Sequence, residues 1–520
     1  MHKRNEKPGP ASRYTLGGSR VFAAAVAAIL VAAPAHAGIA RAIDAALASV
    51  PHARTHVSAC VIDVQNGANV YDRNADTALI PASSMKVFAM AAALIELGEN
   101  FEFETVLARD GNNLYLIGDG DPSLGDEKLC KRRGDSVTGA FERWADRLVS
   151  SGVTRVSGDL VFDGSIFDHE RFNTTWEEKD LDNWYAAPVG GLNFNDNCVD
   201  VTLHPSATSG ELVSVTVSPR CSIIEIANKC KSGGKGPPVL RHAFDSFQYK
   251  ISGRCPKRWP FGPVSFPDPE MLTADVLRTV LRDKGIVIEG RIRRDRVRQA
   301  DGSLPPGLAI VATYTTSIAD ILNRAGKNSQ NLFAEALMKR TGYEWLKRKG
   351  VQDPRGGWVP GRQAVVEMLD DAGIDIGGFA VADGSGLSRE NRCTARQLAG
   401  VLYWMSKRPE GALLCNSLSV AGVDGSLEKR LQHSPGVVFG KTGTMRGVRT
   451  LCGYIMPHTN DETADASPHT ADGSSSSNKP RFAFCIMFNG YPGASTPYRE
   501  IQDRICHALI NAASIEVGTK

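Results

Sequence analysis

The chain has 520 residues, of which 42% are hydrophobic and 22% are charged. This composition is typical of a soluble globular protein with two or more domains, and it excludes a chain that is disordered throughout. The formal net charge of +3 at pH 7 is small, which argues against binding to nucleic acid or membranes through overall charge.

Residues 1–37 are predicted to be a cleaved signal peptide. Five basic residues precede and border an apolar run at 21–33, and Ala35-His36-Ala37 matches an A-x-A cleavage site. The 13 apolar residues of this run are too few to span a bilayer. The alternative is a buried N-terminal helix. We expect an exported protein, located in the periplasm, with at most peripheral membrane contact.

A hairpin and a helix are predicted next. Apolar segments at 57–64 and 68–71 flank Asn66-Gly67, which is a strong hairpin signal. Pro81 then precedes an apolar run at 83–97 that stops before glycine, as helices commonly do.

The helix opens with an S-x-x-K motif, from Ser83 to Lys86. Their three-residue spacing places both side chains on one face of a helix. Ser83 is the candidate nucleophile and Lys86 its candidate base. Burial and a neighbouring cation, for which Lys441 is the candidate, would favour the neutral lysine that a base requires. Ser84 points about 100° away on the helix and is not expected to attack.

From about 100 to 312 the pattern changes to short strands and turns. We predict a β-rich inserted module at 101–311, which separates the first motif from the second.

An S-x-N motif lies inside the next helical pattern. Ser329 and Asn331 are two residues apart, a spacing that suits a turn directing both polar groups into one cleft. We expect Ser329 to pass a proton between Lys86 and a departing amine, and Asn331 to hold the substrate or orient the lysine. Alone, Ser329 would be interpreted as a helix cap. Helical patterns occupy 317–340, 361–372 and 394–406.

A K-T-G-T segment follows a β-branched stretch near residue 440. Lys441 and the hydroxyls of Thr442 and Thr444 suit a terminal carboxylate. Gly443 is expected to keep the strand's wall open so that a substrate can lie alongside as an added strand. The backbone amides of Ser83 and Thr444 are candidates for the oxyanion hole.

The C-terminal part adds two apolar strands, a polar segment between them and a final helix. Segment 458–480 is polar and is predicted to be a flexible insertion. The helix at about 497–513 lacks a cationic face, so packing on the sheet is favoured over membrane binding. The whole pattern predicts an α/β (α+β) fold in which 38–100 and 312–520 form an antiparallel sheet flanked by helices.

The ordered motifs resemble those of the serine penicillin-binding proteins, within them the low-molecular-mass D-alanyl-D-alanine carboxypeptidase/endopeptidase group that carries a large insertion. The resemblance covers nearly all of the chain after residue 37. Further similar segments are 81–83, 118–122 (GDGDP), 185–188 (YAAP), 383–388 (DGSGLS) and 421–425 (AGVDG).

This resemblance implies a β-lactamase/transpeptidase-like domain and a serine-type D-Ala-D-Ala carboxypeptidase that also acts as a DD-endopeptidase. It implies peptidoglycan stem peptides ending in D-Ala-D-Ala as substrates, β-lactams as covalent inhibitors, and neither cofactor nor metal. The group usually has S-D-N where this chain has Gln330 in the middle. Asp163 resembles an aspartate of the group that receives a side-chain amine of the peptide, although a plain turn residue is an equal alternative.

Two other functions remain open. A class A β-lactamase would share the motifs, but no glutamate between the second and third motifs has the expected E-x-x-L-N context. A catalytically silent peptidoglycan-binding protein would lack one of the catalytic side chains, and all are present. A nucleotide-binding loop is excluded because Pro435 stands where its first glycine belongs.

Overall fold

The computed structural model of the chain describes residues 36–243, 245–457 and 479–515. The predicted signal peptide therefore lies outside the described residues except for 36 and 37, and the predicted 458–480 insertion lies outside them except for 479 and 480. Within the described ranges, no helix has both the length and the apolar character needed to cross a membrane.

The chain alternates helices with many short strands. The helices are α1 (36–47), α2 (Lys86–Leu97), α3 (Glu127–Arg132), α4 (Gly139–Ser150), α5 (Pro269–Asp283), α6 (Ile318–Gly326), α7 (Asn331–Arg348), α8 (Trp358–Asp371), α9 (Ala395–Met405), α10 (Gly411–Asn416) and α11 (Thr496–Ile515). The strands are β1 (His56–Asp63), β2 (Asn69–Arg73), β3 (Glu102–Arg109), β4 (Leu114–Ile117), β5 (Arg155–Val156), β6 (Leu160–Asp163), β7 (Cys198–His204), β8 (Ser214–Ser218), β9 (Glu225–Asn228), β10 (Lys231–Ser232), β11 (Val239–Arg241), β12 (Gln248–Ser252), β13 (Arg254–Cys255), β14 (Trp259–Ser265), β15 (Val287–Ile288), β16 (Ile292–Arg294), β17 (Ala309–Ser317), β18 (Ser419–Val420), β19 (Val438–Met445), β20 (Val448–Ile455) and β21 (Phe482–Asn489).

A six-stranded antiparallel sheet in the order β18-β19-β20-β21-β1-β2 forms the centre of the molecule. The strands β1, β20 and β21 are largely buried on both faces because helices cover both faces of the sheet. The helices α1 and α11 pack on one face through residues such as Ile43 and Ile505. The other face packs on α9 and on the turn that precedes α2, and α2, α6, α7 and α8 complete the largest core behind them. The predicted sandwich of helices around an antiparallel sheet is confirmed.

Strand β19 is almost an edge of this sheet. Its outer neighbour β18 pairs only at Gly440 and Phe439, so the segment from 441 to 445 has β20 on one side and no described strand on the other. An edge of this kind exposes backbone N–H and C=O groups to which an extended peptide can add as a further strand.

The segment between α2 and α6 has its own hydrophobic core. Its largest sheet has the order β16-β6-β4-β3-β17, and the predicted boundary at 311/312 falls inside β17. The description as β-rich is incomplete, because α3, α4 and α5 belong to it as well. Asp268 before Pro269 is a helix-start signal, and the carboxylate of Asp268 does cap α5 by accepting from the backbone N–H of Met271.

The predicted hairpin at 57–71 is present as β1 and β2, with Gly67 at a φ of +77° in the turn. The helix predicted at 83–97 begins instead with a tight 3-10 turn, Ala82–Met85, and becomes α-helical at Lys86. The helical pattern at 317–340 is two helices, α6 and α7, because the S-x-N motif interrupts it.

Candidate active site

The first two motifs meet at the amine of Lys86. This side chain is fully buried at the start of α2. Its Nζ donates to Asn331 Oδ1 at 2.7 Å and to the carbonyl oxygen of Ser385 at 2.7 Å, and lies 3.3 Å from Ser83 Oγ. The predicted nucleophile, base and orienting amide are therefore brought together from positions that are up to 248 residues apart in the sequence.

The two neighbouring serines have different surroundings. Ser83 is half-buried, whereas Ser84 is buried and its hydroxyl lies 2.7 Å from Thr450 Oγ1. Only Ser83 combines contact with the lysine and partial exposure to solvent, which favours Ser83 over Ser84 as the attacking group.

Burial controls the charge of Lys86. Removal from water lowers the pKa of Lys86 to about 7, against the opposing effect of the carboxylates of Glu335 and Asp383. A lysine with this pKa is neutral for part of the time near pH 7, so its nitrogen can accept the proton of Ser83.

The third motif meets the second at Ser329. Lys441 is fully buried, and its Nζ donates to Ser329 Oγ at 2.8 Å and to the carbonyl oxygen of Thr442 at 3.0 Å. Burial, together with the positive charge of Lys86, lowers the pKa of Lys441 well below its usual range. An arriving carboxylate would stabilise the protonated form, so substrate binding and protonation of Lys441 favour each other.

The hydroxyls of the third motif make hydrogen bonds with neighbouring side chains. Thr442 is half-buried and donates from Oγ1 to Ser426 Oγ at 2.8 Å. Thr444 is exposed, and its Oγ1 accepts from Arg449 at 2.7 Å. Both threonines lie on the part of β19 that has no described strand on its outer side, where the sequence predicts a carboxylate site.

The contacts of Gly443 point to a packing role, and its role in leaving room for the substrate stays a prediction. A side chain at this position would meet Thr450 Oγ1 at 2.1 Å and the carbonyl oxygen of Pro81 at 2.5 Å. Glycine is required because β19 lies directly against the turn that carries the nucleophile.

Asp163 lies in the inserted segment, away from this cluster. Its carboxylate is 1% exposed and accepts from the backbone N–H groups of Ser165, Val297 and Arg298 at 2.7–2.8 Å. It lines a cavity of about 310 Å³. These hydrogen bonds hold the neighbouring loops in place. Recognition of a substrate amine by Asp163 stays a prediction.

Two carboxylates near Lys86, those of Glu335 and Asp383, have roles that the sequence did not predict. Glu335 is fully buried on α7 and accepts from the backbone N–H groups of Gly384 and Ser385 and from Trp358 Nε1, at 2.8–2.9 Å. Asp383 accepts from the N–H groups of Gly386 and Ser388. They hold the 383–388 loop, whose carbonyl oxygen at Ser385 accepts from Lys86.

One signal could have found Glu335. It follows Asn331 by four residues on α7, so the two share a helix face. Because its carboxylate is enclosed and already receives three hydrogen bonds, Glu335 is not positioned as the water-activating glutamate of a class A β-lactamase.

Comparison with known proteins agrees with this geometry. The model of the D-Ala-D-Ala carboxypeptidase 3 (S13) family matches residues 39–507. A D-alanyl-D-alanine carboxypeptidase of Actinomadura sp. is 30% identical over 424 residues, covering 76% of this chain and 74% of the relative. The D-alanyl-D-alanine carboxypeptidase DacB of Haemophilus influenzae is 27% identical over 406 residues, covering 74% of this chain and 79% of the relative.

The fold is also similar to a solved structure. The crystal structure of penicillin binding protein 4 from Haemophilus influenzae superposes with a TM-score of 0.71 at 23% identity, covering 90% of this chain and 99% of that one. The chain therefore belongs to the D-Ala-D-Ala carboxypeptidase 3 (S13) family and is a serine-type D-Ala-D-Ala carboxypeptidase, a hydrolase.

Proposed function

We propose that the protein removes the terminal D-alanine from peptidoglycan stem peptides that end in D-Ala-D-Ala, through an acyl-enzyme on Ser83. The observation that carries this proposal is the amine of Lys86, held by Asn331 and Ser385 within 3.3 Å of Ser83 Oγ. An amide carbonyl is a poor electrophile, and such a base supplies the activated nucleophile that its cleavage needs.

In the first step, neutral Lys86 takes the proton of Ser83 while Oγ attacks the carbonyl carbon between the two D-alanines. The substrate lies along the open edge of β19, with its terminal carboxylate at Lys441, Thr442 and Thr444. Negative charge develops on the carbonyl oxygen, and the backbone amides of Ser83 and Thr444 are the donors we assign to it. One such donor typically lowers the barrier by about 3–4 kcal/mol.

In the second step, the carbon–nitrogen bond breaks and D-alanine leaves as the free amine. Ser329 gives its proton to that nitrogen and is reprotonated from Lys86, along a path that Lys441 orders by its hydrogen bond to Ser329 Oγ. Water then attacks the ester on Ser83 with Lys86 again acting as the base, which releases the shortened peptide.

The same acyl transfer accounts for two further properties. When the leaving amine belongs to a neighbouring stem peptide, cleavage of the cross-link is DD-endopeptidase activity. A β-lactam presents a strained amide and a carboxylate to the same groups and would acylate Ser83. The basic and apolar pattern at the start of the sequence supports export, with the periplasm, where peptidoglycan lies, as the location.

The test is release of D-alanine from a synthetic stem peptide that ends in D-Ala-D-Ala. Ser83→Ala should lower the rate by at least about a thousandfold, because the nucleophile is lost. The matched control is Ser84→Ala, which removes the neighbouring hydroxyl and should retain acylation at Ser83. Turnover by Ser83→Ala at the wild-type rate would contradict the proposal.

A further inference from the structure

Gln330, the central residue of the second motif, uses both ends of its side-chain amide. It is 5% exposed and caps the N-terminus of α7, where its Oε1 accepts from the backbone N–H of Asn331 at 3.0 Å. Its Nε2 donates to Asp196 Oδ2 at 2.7 Å. The residue between Ser329 and Asn331 is thereby tied to the inserted segment.

The hydrogen bond between Gln330 and Asp196 joins two stretches of backbone that contain strained conformations. Ser329 has a φ of +57°, and the consecutive residues Asn195, Asp196 and Asn197 have φ values of +52°, +54° and +56°. Non-glycine residues in the left-handed region cost free energy and persist where surrounding contacts hold them. The hydrogen bond from Gln330 to Asp196 joins these two stretches directly.

The charges around the contact favour a neutral side chain at 330. Arg324 is the cation here: its Nε and Nη2 donate to Asp126 at 2.9 and 2.5 Å, and Nη2 lies 3.6 Å from Asp196 Oδ2. Asp126 and Asp196 thus share one guanidinium. Within the described residues, Asp196 Oδ1 is buried without a hydrogen-bond partner.

We propose that Gln330 and Asp196 act as a positioning pair, which holds Ser329 and Asn331 at Lys441 and Lys86 and requires an uncharged side chain at 330. A carboxylate at 330 would be the third around one arginine, since Asp196 and Asp126 already occupy the site. This inference rests on the proposed function, because it concerns the proton relay of the same site.

A double-mutant cycle with isosteric replacements tests the pair. Gln330→Glu keeps the shape but sets two carboxylates against each other, whereas Asp196→Asn removes the charge on the other side. Gln330→Glu should lower the rate of acylation by penicillin by about tenfold or more at pH 8, because buried like charges repel. The double variant Gln330→Glu/Asp196→Asn should recover most of the rate, since an amide again faces a carboxylate.

The pH profile separates positioning from general loss of structure. The ionisable groups that face the pair are Arg324 on α6, Asp126 at the start of α3 and the thiol of Cys198 on β7. Burial and the charge of Asp126 raise the pKa of Asp196 to about 7. The defect of Gln330→Glu should therefore become smaller as the pH falls from 8 to 6, because a proton can bridge the two carboxyl groups. The acylation rate of the double variant, relative to wild type, should not change with pH in this way.

The cycle is measured twice, as acylation rate and as melting temperature. Coupling between the two substitutions in both the acylation rate and the melting temperature, with recovery of both in the double variant, supports the positioning pair. If wild type is acylated but Gln330→Glu matches it at every pH, or if the double variant is no better than Gln330→Glu, the inference is wrong while the proposed function stands. If wild type shows neither acylation nor release of D-alanine, the proposed function fails, and the melting cycle still decides whether the two side chains are coupled.

Discussion

At Lys86, the proposed base, burial and charge act in opposite directions on the pKa. Burial favours the neutral amine, while the carboxylates of Glu335 and Asp383 favour the protonated one, and the balance gives Lys86 a pKa of about 7. Glu335 has a second effect, because its hydrogen bonds to Gly384 and Ser385 hold the peptide whose carbonyl oxygen accepts from Lys86.

This balance predicts the pH dependence of acylation. Only neutral Lys86 can take a proton, so the rate should rise with pH through about 7 and then level off. Burial and the charge of Asp383 raise the pKa of Glu335 itself to about 7, so Glu335 and Lys86 titrate as a coupled pair. Glu335→Gln removes the negative charge that Glu335 carries when ionised and that raises the pKa of Lys86, so the rising limb should move to lower pH. The plateau should also fall, about tenfold, because the loop that orients the lysine loses an acceptor.

The measurement is the second-order rate constant for acylation by penicillin between pH 5 and 9. Glu344→Gln, on the same helix but facing Arg340, is the control and should keep the wild-type limb. If the rising limb of the pH–rate profile stays in place or moves to higher pH in Glu335→Gln, the role assigned to Glu335 is contradicted.

At the scale of elements, β19 and the 3-10 turn that precedes α2 form one unit. Gly443 lies against this turn, and Thr450 on β20 also reaches it by donating to the carbonyl oxygen of Pro81 at 2.8 Å. The proposed nucleophile is therefore fixed relative to the strand proposed to bind the carboxylate by the close packing of Gly443 on the turn and by the hydroxyl of Thr450.

Gly443→Ala should disturb this unit. The added methyl group would overlap Thr450 Oγ1 and the backbone of Pro81, and overpacking of this kind costs about 1–3 kcal/mol. We expect a lower melting temperature and slower acylation by penicillin, because the turn and the strand must separate. Gly111→Ala adds a methyl group where nothing lies within 4 Å and is the control. A wild-type rate and melting temperature in Gly443→Ala would show that the two elements are not held together in this way.

The sequence predicted the elements that carry chemistry better than the contacts between them. Ser83, Lys86, Ser329 and Lys441 could be assigned because short motifs fix the residue types that acyl transfer needs. Asp196 could not, because its partner Gln330 is 134 positions away and only the folded chain brings the two close. For Glu335 the sequence offers only its four-residue spacing from Asn331 on α7. The helix α4 was missed although Phe141, Trp144 and Leu148 recur at helical spacing, since the surrounding strands dominated the pattern.

At the scale of the whole molecule, buried ion pairs connect the inserted segment to the catalytic helices. Arg340 on α7 lies 3.2 Å from Asp119 through its Nε, and both side chains are nearly inaccessible to water. Its guanidinium also stacks over the rings of Phe101 and Tyr343. The segment around Asp119 is thereby fixed to the helix that begins at Asn331.

Arg340→Gln should weaken the fold strongly. Loss of the cation leaves Asp119 buried without its nearest partner, and breaking a buried pair costs about 3–5 kcal/mol. Arg155→Gln removes one member of an exposed pair with Glu289 and should cost at most about 1 kcal/mol. Urea unfolding of the two variants measures both changes. Equal free energies of unfolding for the two variants would contradict this account of how the inserted segment is held.

The most direct test of the central claim is intact-protein mass spectrometry after incubation with penicillin, followed by mapping of the modified peptide. The account predicts one covalent adduct, located at Ser83 and absent from Ser83→Ala. An adduct at another residue, or no adduct while penicillin is consumed or left intact, would contradict it.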